Sequence, residues 1–327
     1  MSKKYYVSIV TVIFLVALRG EQQGMSAQND LCKATFSDIN VKVERSEKDT
    51  VSKTKVVLLG TGNPGIDPER SGPATAVVVN GTAYLVDMGP GVVRRAKSAE
   101  LTRGIEALEP TKLRVVFVTH LHSDHTVGYA DLIFTPWTVG RRFPLEVYGP
   151  KGLKSMTEHL IEAYRIDIET RTNPNGNQRS FADGYKVNAH EITTGVIYKD
   201  SNVTVTAFPT KHAMESYGYR FDTKDRSIVI SGDSNPTDAT IEACNGCDVL
   251  IHEAVTPGWL ATRPVTFQQF AAKYHTTTPQ LAELAKRAKP ALLILYHYSS
   301  LSLEELFNDM RSHYQANFVI GHDLDVY

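Results

Sequence analysis

Three histidines and one aspartate lie close together in the first half of the chain. They directly follow the apolar run 115–118 and are His120, His122, Asp124 and His125. The run is short, β-branched and uncharged, as expected of a buried strand. Side chains two apart in an extended chain point the same way, and a helix is expected to begin near Asp124. The nitrogen and oxygen donors are therefore expected to point in two directions from the junction of strand and helix. This arrangement fits a pair of zinc ions better than one closed tetrahedral site.

Three later residues are candidates to complete this set. His212, Asp233 and His297 each follow a predicted strand, at 203–208, 227–231 and 292–296 respectively. A single histidine or aspartate at a strand end is usually a cap or a hydrogen-bonding residue. Two ions, however, need more ligands than the first cluster offers. A carboxylate can bind two cations through its two oxygens, so Asp233 is the expected bridge.

Size and charge limit the class of protein. The chain has 327 residues, 42% of them hydrophobic, and a formal net charge of -1. This is enough apolar material for one large core or a layered α/β domain. A charge near zero provides no global attraction for nucleic acid, so no nucleic-acid partner is expected.

The N-terminus has the pattern of a secretory signal. Two lysines precede the apolar run 7–18, which is short for a membrane span, and small residues allow cleavage after Ala27. The alternative is an uncleaved membrane anchor. We therefore expect a periplasmic or secreted protein without stable membrane association after cleavage. The expected organisation is a signal peptide, a lead-in segment and one hydrolase domain, at residues 1–27, 28–54 and 55–327.

Strands and helices alternate after residue 55, which predicts an α/β fold with two sheets covered by helices. The pair Asn80-Gly81 between two apolar runs is a strong hairpin signal. The polar segment 167–183 is a candidate lid, or else a passive surface loop. The odd cysteine number leaves at least one thiol free, and the pair Cys244 and Cys247 is interpreted as structural or incidental rather than redox-active.

The order of these motifs resembles that of the metallo-β-lactamase superfamily. The shared features are HxHxDH, a lone histidine before Gly218-Tyr219-Arg220, Ser-Gly-Asp, His252-Glu253-Ala254 and a strand that ends in histidine. Four features are similar to motifs of the ribonuclease Z branch: the lone histidine with Gly218-Tyr219-Arg220, His252-Glu253-Ala254, His275-Thr276-Thr277 and the strand-end His297-Tyr298-Ser299. Segments 70–74, 84–91, 148–150 and 321–324 resemble the exported bacterial arylsulfatases of that branch. The resemblance spans residues 56–324 and implies an αββα sandwich of two mixed β-sheets flanked by helices.

The resemblance also implies a ligand set for two zinc ions per subunit. One zinc would be bound by His120, His122 and His212, and the other by Asp124, His125 and His297, with Asp233 between them. His275 would contact the substrate and be oriented by Glu253, and Asp124 would also assist the attacking hydroxide. The alternative for His275 is a helix-start histidine without a catalytic part. Family members often pair, so a homodimer is possible.

The expected activity from this resemblance is the hydrolysis of small-molecule aryl sulfate esters to a phenol and inorganic sulfate. No C/S-x-P-x-R segment is present in the sequence, so a sulfatase would depend on metal rather than on formylglycine. The alternative is a phosphodiesterase of the ribonuclease Z type, which the predicted signal peptide, the charge and the lack of a long basic arm disfavour. Hydrolysis of β-lactams or lactones and metal storage are less consistent with the motifs.

Several aromatic residues are candidates to line an apolar substrate pocket, although core packing is the better expectation for any one of them. They are Trp137, Tyr148, Tyr164, Trp259 and Tyr298.

Overall fold

The structure is a computed structural model that describes residues 53–176 and 180–327. The predicted signal peptide, nearly all of the lead-in segment and Cys32 lie outside the described residues, so those expectations and the domain boundary stay predictions. Within the described ranges, no helix combines the length and the apolar character needed to cross a membrane.

Strands and helices alternate along the described chain. The strands are β1 (Thr54–Gly60), β2 (Ala74–Val79), β3 (Thr82–Val86), β4 (Val115–Phe117), β5 (Leu145–Gly149), β6 (Val187–Glu191), β7 (Gly195–Lys199), β8 (Thr204–Pro209), β9 (Tyr217–Asp222), β10 (Ser227–Ile230), β11 (Val249–Val255), β12 (Leu292–Ser299) and β13 (Phe318–Ile320). The helices are α1 (Val92–Arg103), α2 (Ser123–Thr126), α3 (Tyr129–Thr138), α4 (Leu153–Ala163), α5 (Arg165–Thr172), α6 (Asp238–Cys244), α7 (Pro257–Ala261), α8 (Val265–Tyr274), α9 (Thr278–Ala288) and α10 (Leu303–His313).

The strands form two mixed sheets. The first is six-stranded, in the order β1-β2-β3-β4-β5-β6, and the second is seven-stranded, in the order β13-β12-β11-β10-β9-β8-β7. In the first sheet β3 to β6 run parallel, and in the second β10 to β13 do. The carboxyl ends of parallel strands meet at one edge of a sheet, where loop residues are well placed to build a site.

Three apolar layers hold the fold together. The cluster between the sheets includes Phe117, Tyr219 and Ile294. A second cluster packs α1, α3 and α4 against the outer face of the first sheet, and a third packs α6, α9 and α10 against the second sheet. The predicted αββα sandwich is therefore confirmed.

The hairpin signal at Asn80-Gly81 is confirmed, because β2 and β3 pair in antiparallel register around it and both turn residues have positive φ. The polar segment 167–183 differs from its prediction, since its first part lies in helix α5. Ion pairs one helical turn apart support this helix: the Arg171 Nε lies 2.9 Å from the Asp167 Oδ1, and the Arg165 Nη1 3.1 Å from the Glu169 Oε1. Cys244 and Cys247 form a buried disulfide.

Candidate metal centre

The first histidine cluster lies where β4 ends and α2 begins. His122 has extended backbone angles and immediately precedes the first helical residue, Ser123. The chain therefore turns between His122 and His125, and His125 donates its backbone N–H to the His122 carbonyl at 3.2 Å. This turn directs the donors to two sides, as the spacing predicts.

One group of donors contains three imidazoles. The Nδ1 of His122 is 3.0 Å from the Nε2 of His120 and 3.0 Å from the Nε2 of His212. Zinc ligands ~2.0–2.1 Å from a tetrahedral ion lie ~3.3 Å from one another, so these nitrogens are spaced as ligands of one cation. His212 comes from the loop after β8, and the structure thus brings it to the early cluster.

A second group contains the Oδ2 of Asp124, the Nε2 of His125 and the Nε2 of His297. The Asp124 oxygen is 3.5 Å from the His125 nitrogen and 3.6 Å from the His297 nitrogen. Both the Asp124 Oδ2 and the His125 Nε2 are buried without a hydrogen-bond partner in the described structure. Buried polar atoms are costly to leave unpaired, so this donor set fits a bound cation.

Asp233 lies between the two groups with one oxygen toward each. Its Oδ1 is 3.1 Å from the His297 Nε2 and 3.3 Å from the His125 Nε2. Its Oδ2 is 3.3 Å from the His297 Nε2 and is the oxygen that reaches the first group, 4.0 Å from the Nε2 of both His120 and His212. This is the arrangement that a bridging carboxylate requires.

The turn that carries Asp233 needs glycine at position 232. Gly232 has φ 61°, and a Cβ there would lie 2.7 Å from the Cβ of Thr119. Close approach of this turn to the end of β4 brings Asp233 to the histidines.

His297 is positioned by a β-bulge rather than by a strand end. The sequence predicted that its strand stops at Tyr296, but β12 continues to Ser299. Glu253 pairs with Tyr296 and Ala254 with Tyr298, so His297 is the extra residue, with φ 48°. A bulge re-aims a side chain without ending the strand. Periodicity alone does not reveal such an insertion.

Asp87 supports the candidate site through hydrogen bonds, and the sequence analysis did not single it out. Its Oδ2 accepts from the Nδ1 of His125 at 2.8 Å, and its Oδ1 accepts from the backbone N–H of Thr119 at 2.8 Å. This leaves the Nε2 of His125 free for a metal. The available signal was the position of Asp87 directly after β3, since the carboxyl end of β3 is next to that of β4.

Burial and charge set the protonation of these ligands. Burial lowers the pKa of His120 well below its usual value and that of His212 to about 4. Burial alone would raise the pKa of Asp233, but the His297 and His125 imidazoles hold it well below its ordinary range. Burial alone would lower the pKa of His125 and of His297, but the Asp233 carboxylate outweighs it and raises both. Because metal binds neutral imidazoles and an ionised carboxylate, a cation bound here would displace the protons of these two histidines.

Glu253 and His275 form a pair beside the cluster. The Oε2 of Glu253 is 2.8 Å from the Nδ1 of His275, and its Oε1 accepts from the backbone N–H of Ser234 at 2.7 Å. Burial alone would lower the pKa of His275, but the Glu253 carboxylate outweighs it and raises the pKa to about 9. The His275 Nδ1 lies 4.0 Å from the Asp233 Oδ2, so the pair adjoins both groups of donors.

The candidate aromatic pocket residues do not share one site. Trp137 is fully buried in the helical layer outside the first sheet, and Tyr148 packs between the sheets. Tyr164 stacks on Phe134, with ring centroids 4.3 Å apart. Trp259 is half-buried in α7, a short helix near His275 in the chain.

Comparisons with known proteins agree with this geometry. The model of the β-lactamase superfamily domain matches residues 82–298. A ribonuclease Z of Mycobacterium sp. (strain KMS) is 34% identical over 250 residues, which cover 75% of this chain and 84% of the relative. A ribonuclease Z of Mycobacterium bovis (strain BCG / Pasteur 1173P2) is 31% identical over 249 residues, which cover 75% and 85%.

Two solved structures have the same fold. The metallo-β-lactamase fold protein YhfI from Bacillus subtilis matches with a TM-score of 0.64 at 18% identity, over 84% of this chain and 99% of that one. The short form of human tRNase Z matches with a TM-score of 0.62 at 22% identity, over 84% and 98%.

Two expectations from the sequence are wrong by these findings. The relatives are ribonucleases Z, which contradicts both the arylsulfatase activity on a small sulfate ester and the absence of a nucleic-acid partner. Loop motifs carried the sulfatase resemblance, whereas the chemistry of the site serves phosphodiesters equally well. The net charge misled because it averages over the chain and does not describe the field at one cation site.

The paired His and Asp groups on this fold fit a divalent metal site, for which zinc is the typical ion. The chain therefore belongs to the metallo-β-lactamase superfamily, as a metal-dependent hydrolase with relatives among the ribonucleases Z.

Proposed function

We propose that this protein is a phosphodiesterase of the ribonuclease Z type and that it hydrolyses RNA. Relatives of that name, aligned over most of this chain, support the choice of substrate class. The main observation in favour of phosphodiester hydrolysis is the position of the Asp233 carboxylate, which offers one oxygen to each donor group. Such a site suits a reaction at a phosphorus whose two non-bridging oxygens share a negative charge.

The proposed cofactor is two zinc ions per subunit. His120, His122 and His212 would hold one ion, and Asp124, His125 and His297 the other, with Asp233 shared. If bound, the two ions would lower the pKa of a bound water toward neutrality and would offset the charge that develops on the phosphoryl oxygens.

Two side chains of this protein are proposed to move protons. The Asp124 carboxylate lies at the edge of the second group, 14% exposed, where it can orient the attacking water and accept its proton. His275 is held by Glu253 in a form that carries a proton near neutral pH, because its pKa is raised to about 9. We assign it the donation of this proton to the departing oxygen. An RNA leaving group is an alkoxide, for which such donation matters most.

The experiment is hydrolysis by purified protein with its metal content measured in parallel. We expect cleavage of a 3′-extended tRNA transcript and of bis(p-nitrophenyl) phosphate, with two zinc ions per chain. Chelation should abolish both reactions and added zinc should restore them. The variant Asp233→Ala should lose metal and activity together.

A matched control is His159→Ala, because His159 is an exposed histidine on α4 outside the cluster. This variant should retain metal and activity. Zinc-loaded protein that cleaves neither substrate, or activity that survives removal of the metal, would refute the proposal.

Export is a separate proposal that follows from the pattern of residues 1–27. Cell fractionation and N-terminal sequencing of the mature protein test it. A mature chain that begins near residue 28 outside the cytoplasm is expected, and an intact N-terminus in the cytoplasmic fraction would contradict it.

A further inference from the structure

A row of aromatic rings runs along α7 and α8 to the candidate metal centre. We call Trp259, Phe267 and Phe270 the aromatic track. The Trp259 and Phe267 ring centroids are 5.9 Å apart, and those of Phe267 and Phe270 are 6.1 Å apart. At its inner end, the Phe270 ring lies 5.7 Å from the ring of His275.

The aromatic track is little used for core packing. In α8 only Ala271 is buried, and Phe267 is 38% exposed. Trp259 and Phe270 are half-buried, and a contiguous group of rings that stays partly in water commonly marks a surface that contacts a partner or ligand. The track therefore calls for an explanation beyond folding.

Hydrogen bonds from two side chains to backbone carbonyls fix the C-terminal end of α8 relative to the metal centre. The Nδ2 of Asn235 donates to the carbonyls of Ala272 and His275, at 3.1 and 2.9 Å. The Nδ1 of His212 donates to the Tyr274 carbonyl at 3.1 Å. Asn235 is two residues after Asp233 in the chain. These bonds therefore fix the distance between Asp233 and a group bound on the aromatic track.

A cation accompanies the aromatic track. The Arg263 guanidinium carbon lies 4.5 Å from the centroid of the Trp259 ring. Arg263 has no ion pair with an acidic side chain in the part of the chain that the structure describes. An arginine without an acidic partner that stacks on a half-buried aromatic ring is suited to a planar group that is attached to an anion.

The geometry points to the aromatic track as a base-binding subsite, on which a nucleobase of the RNA stacks while its phosphate lies at the metal centre. This inference rests on the proposed function and deepens it. Single-stranded nucleic acids bind proteins by this combination of aromatic stacking and positive charge. The aromatic track ends beside His275, and the charge of Arg263 is not neutralised by an acidic side chain of the described residues. Both observations favour a nucleobase over a purely apolar ligand.

Adenosine 5′-monophosphate is the test ligand, with ribose 5-phosphate as the same phosphate without a base. Neither contains a phosphodiester, so both can be titrated against the zinc-loaded full chain. The chain has two tryptophans, and Trp137 is fully buried, so a change in fluorescence on binding reports Trp259. We expect only the nucleotide to quench the tryptophan fluorescence. We also expect the nucleotide to bind about 5- to 100-fold more tightly than the sugar phosphate.

The variant Phe267→Leu should remove this preference without changing the affinity for ribose 5-phosphate. Phe181→Leu is the matched control, because Phe181 is also an exposed ring, 42% exposed, with the Arg142 guanidinium 4.3 Å from its centroid. Arg263→Gln should raise the KM for RNA. It should also make the dependence of log binding constant on log salt concentration less steep, by ~0.7. Zinc content and melting temperature show that each variant is folded.

Equal binding of the two ligands by the wild-type protein, or an unchanged preference in Phe267→Leu, would overturn the base-binding subsite. The proposed function fails in a different way. Protein that prefers the nucleotide but hydrolyses no phosphodiester contradicts the function alone, and protein that hydrolyses RNA without the preference contradicts the subsite alone.

Discussion

The Nδ1 of His297 donates a hydrogen bond to the main-chain carbonyl of Gly62, 2.6 Å away. The backbone N–H of His297 also donates to the carbonyl of Thr61, at 3.0 Å. The loop after β1 thus orients a histidine near the other end of the chain and leaves its Nε2 toward Asp233. Such supporting contacts typically change metal affinity about 10- to 100-fold when they are lost.

Gly62→Ala should weaken the second metal group selectively. A Cβ at Gly62 would lie 2.6 Å from the Ser71 carbonyl oxygen, so the loop and its carbonyl must shift. We expect about 10- to 100-fold weaker binding of one zinc ion and little change for the other, measured by competition with a chromophoric chelator. Gly65→Ala is the control, since its added Cβ would meet only the Asn63 side chain within 3 Å. Equal loss at both sites would contradict this assignment.

Asp87→Asn should weaken both metal groups. Asp87 holds His125 directly, and it contacts Thr119, whose Oγ1 is 3.0 Å from the Nδ1 of His120. An amide in place of the carboxylate also changes the preferred tautomer of His125. Zinc titration should show affinity about 10- to 100-fold lower at both sites. A variant with full zinc affinity would show that Asp87 serves folding alone.

His275→Ala should separate substrates by their leaving groups. A phenoxide leaves without help, whereas the alkoxide of RNA gains from a proton donor. We expect kcat for RNA to fall about 100- to 10,000-fold and kcat for bis(p-nitrophenyl) phosphate to fall about tenfold or less, at unchanged zinc content. Glu253→Gln should follow the same pattern more weakly. Similar losses on the two substrates would argue against proton donation.

Asp200→Asn should reduce stability in a manner that depends on pH. Asp200 accepts hydrogen bonds from the Tyr84 and Tyr198 hydroxyls, at 2.6 and 3.0 Å. Burial alone would raise the pKa of Asp200, but the hydrogen bond from Tyr84 and others outweigh it and lower the pKa. The stabilisation is therefore present above the unfolded-state pKa of about 3.9, and it is lost as the pH falls through the lower folded-state value.

Urea unfolding of the metal-free protein measures this effect without interference from zinc. Because Asp200 is only partly buried and Asn keeps one acceptor oxygen, the free energy of unfolding of the variant should be about 0.5–1.5 kcal/mol lower near pH 7. The difference should shrink below about pH 4. A difference that stays constant across this range would show that the carboxylate charge is not responsible.

Local patterns predicted much of the fold. The hairpin at Asn80-Gly81 and the strand before His120 are encoded within a few residues, because turn geometry and alternating burial act over short distances. Helix α5 was missed since its stabilising ion pairs resemble a polar loop in composition. The bulge at His297 was missed since it arises from the pairing of β12 with β11, which no local pattern records.

The sequence by itself determined which residue types are available to bind metal and in what order they follow the strands. Only the tertiary structure decided that the two oxygens of Asp233 face different groups of histidines, that Asp87 supports His125, and that the aromatic track leads to His275. These relationships join residues far apart in the chain. They depend on how the two sheets pack and on which strand ends meet, and those are properties of the whole core rather than of any segment.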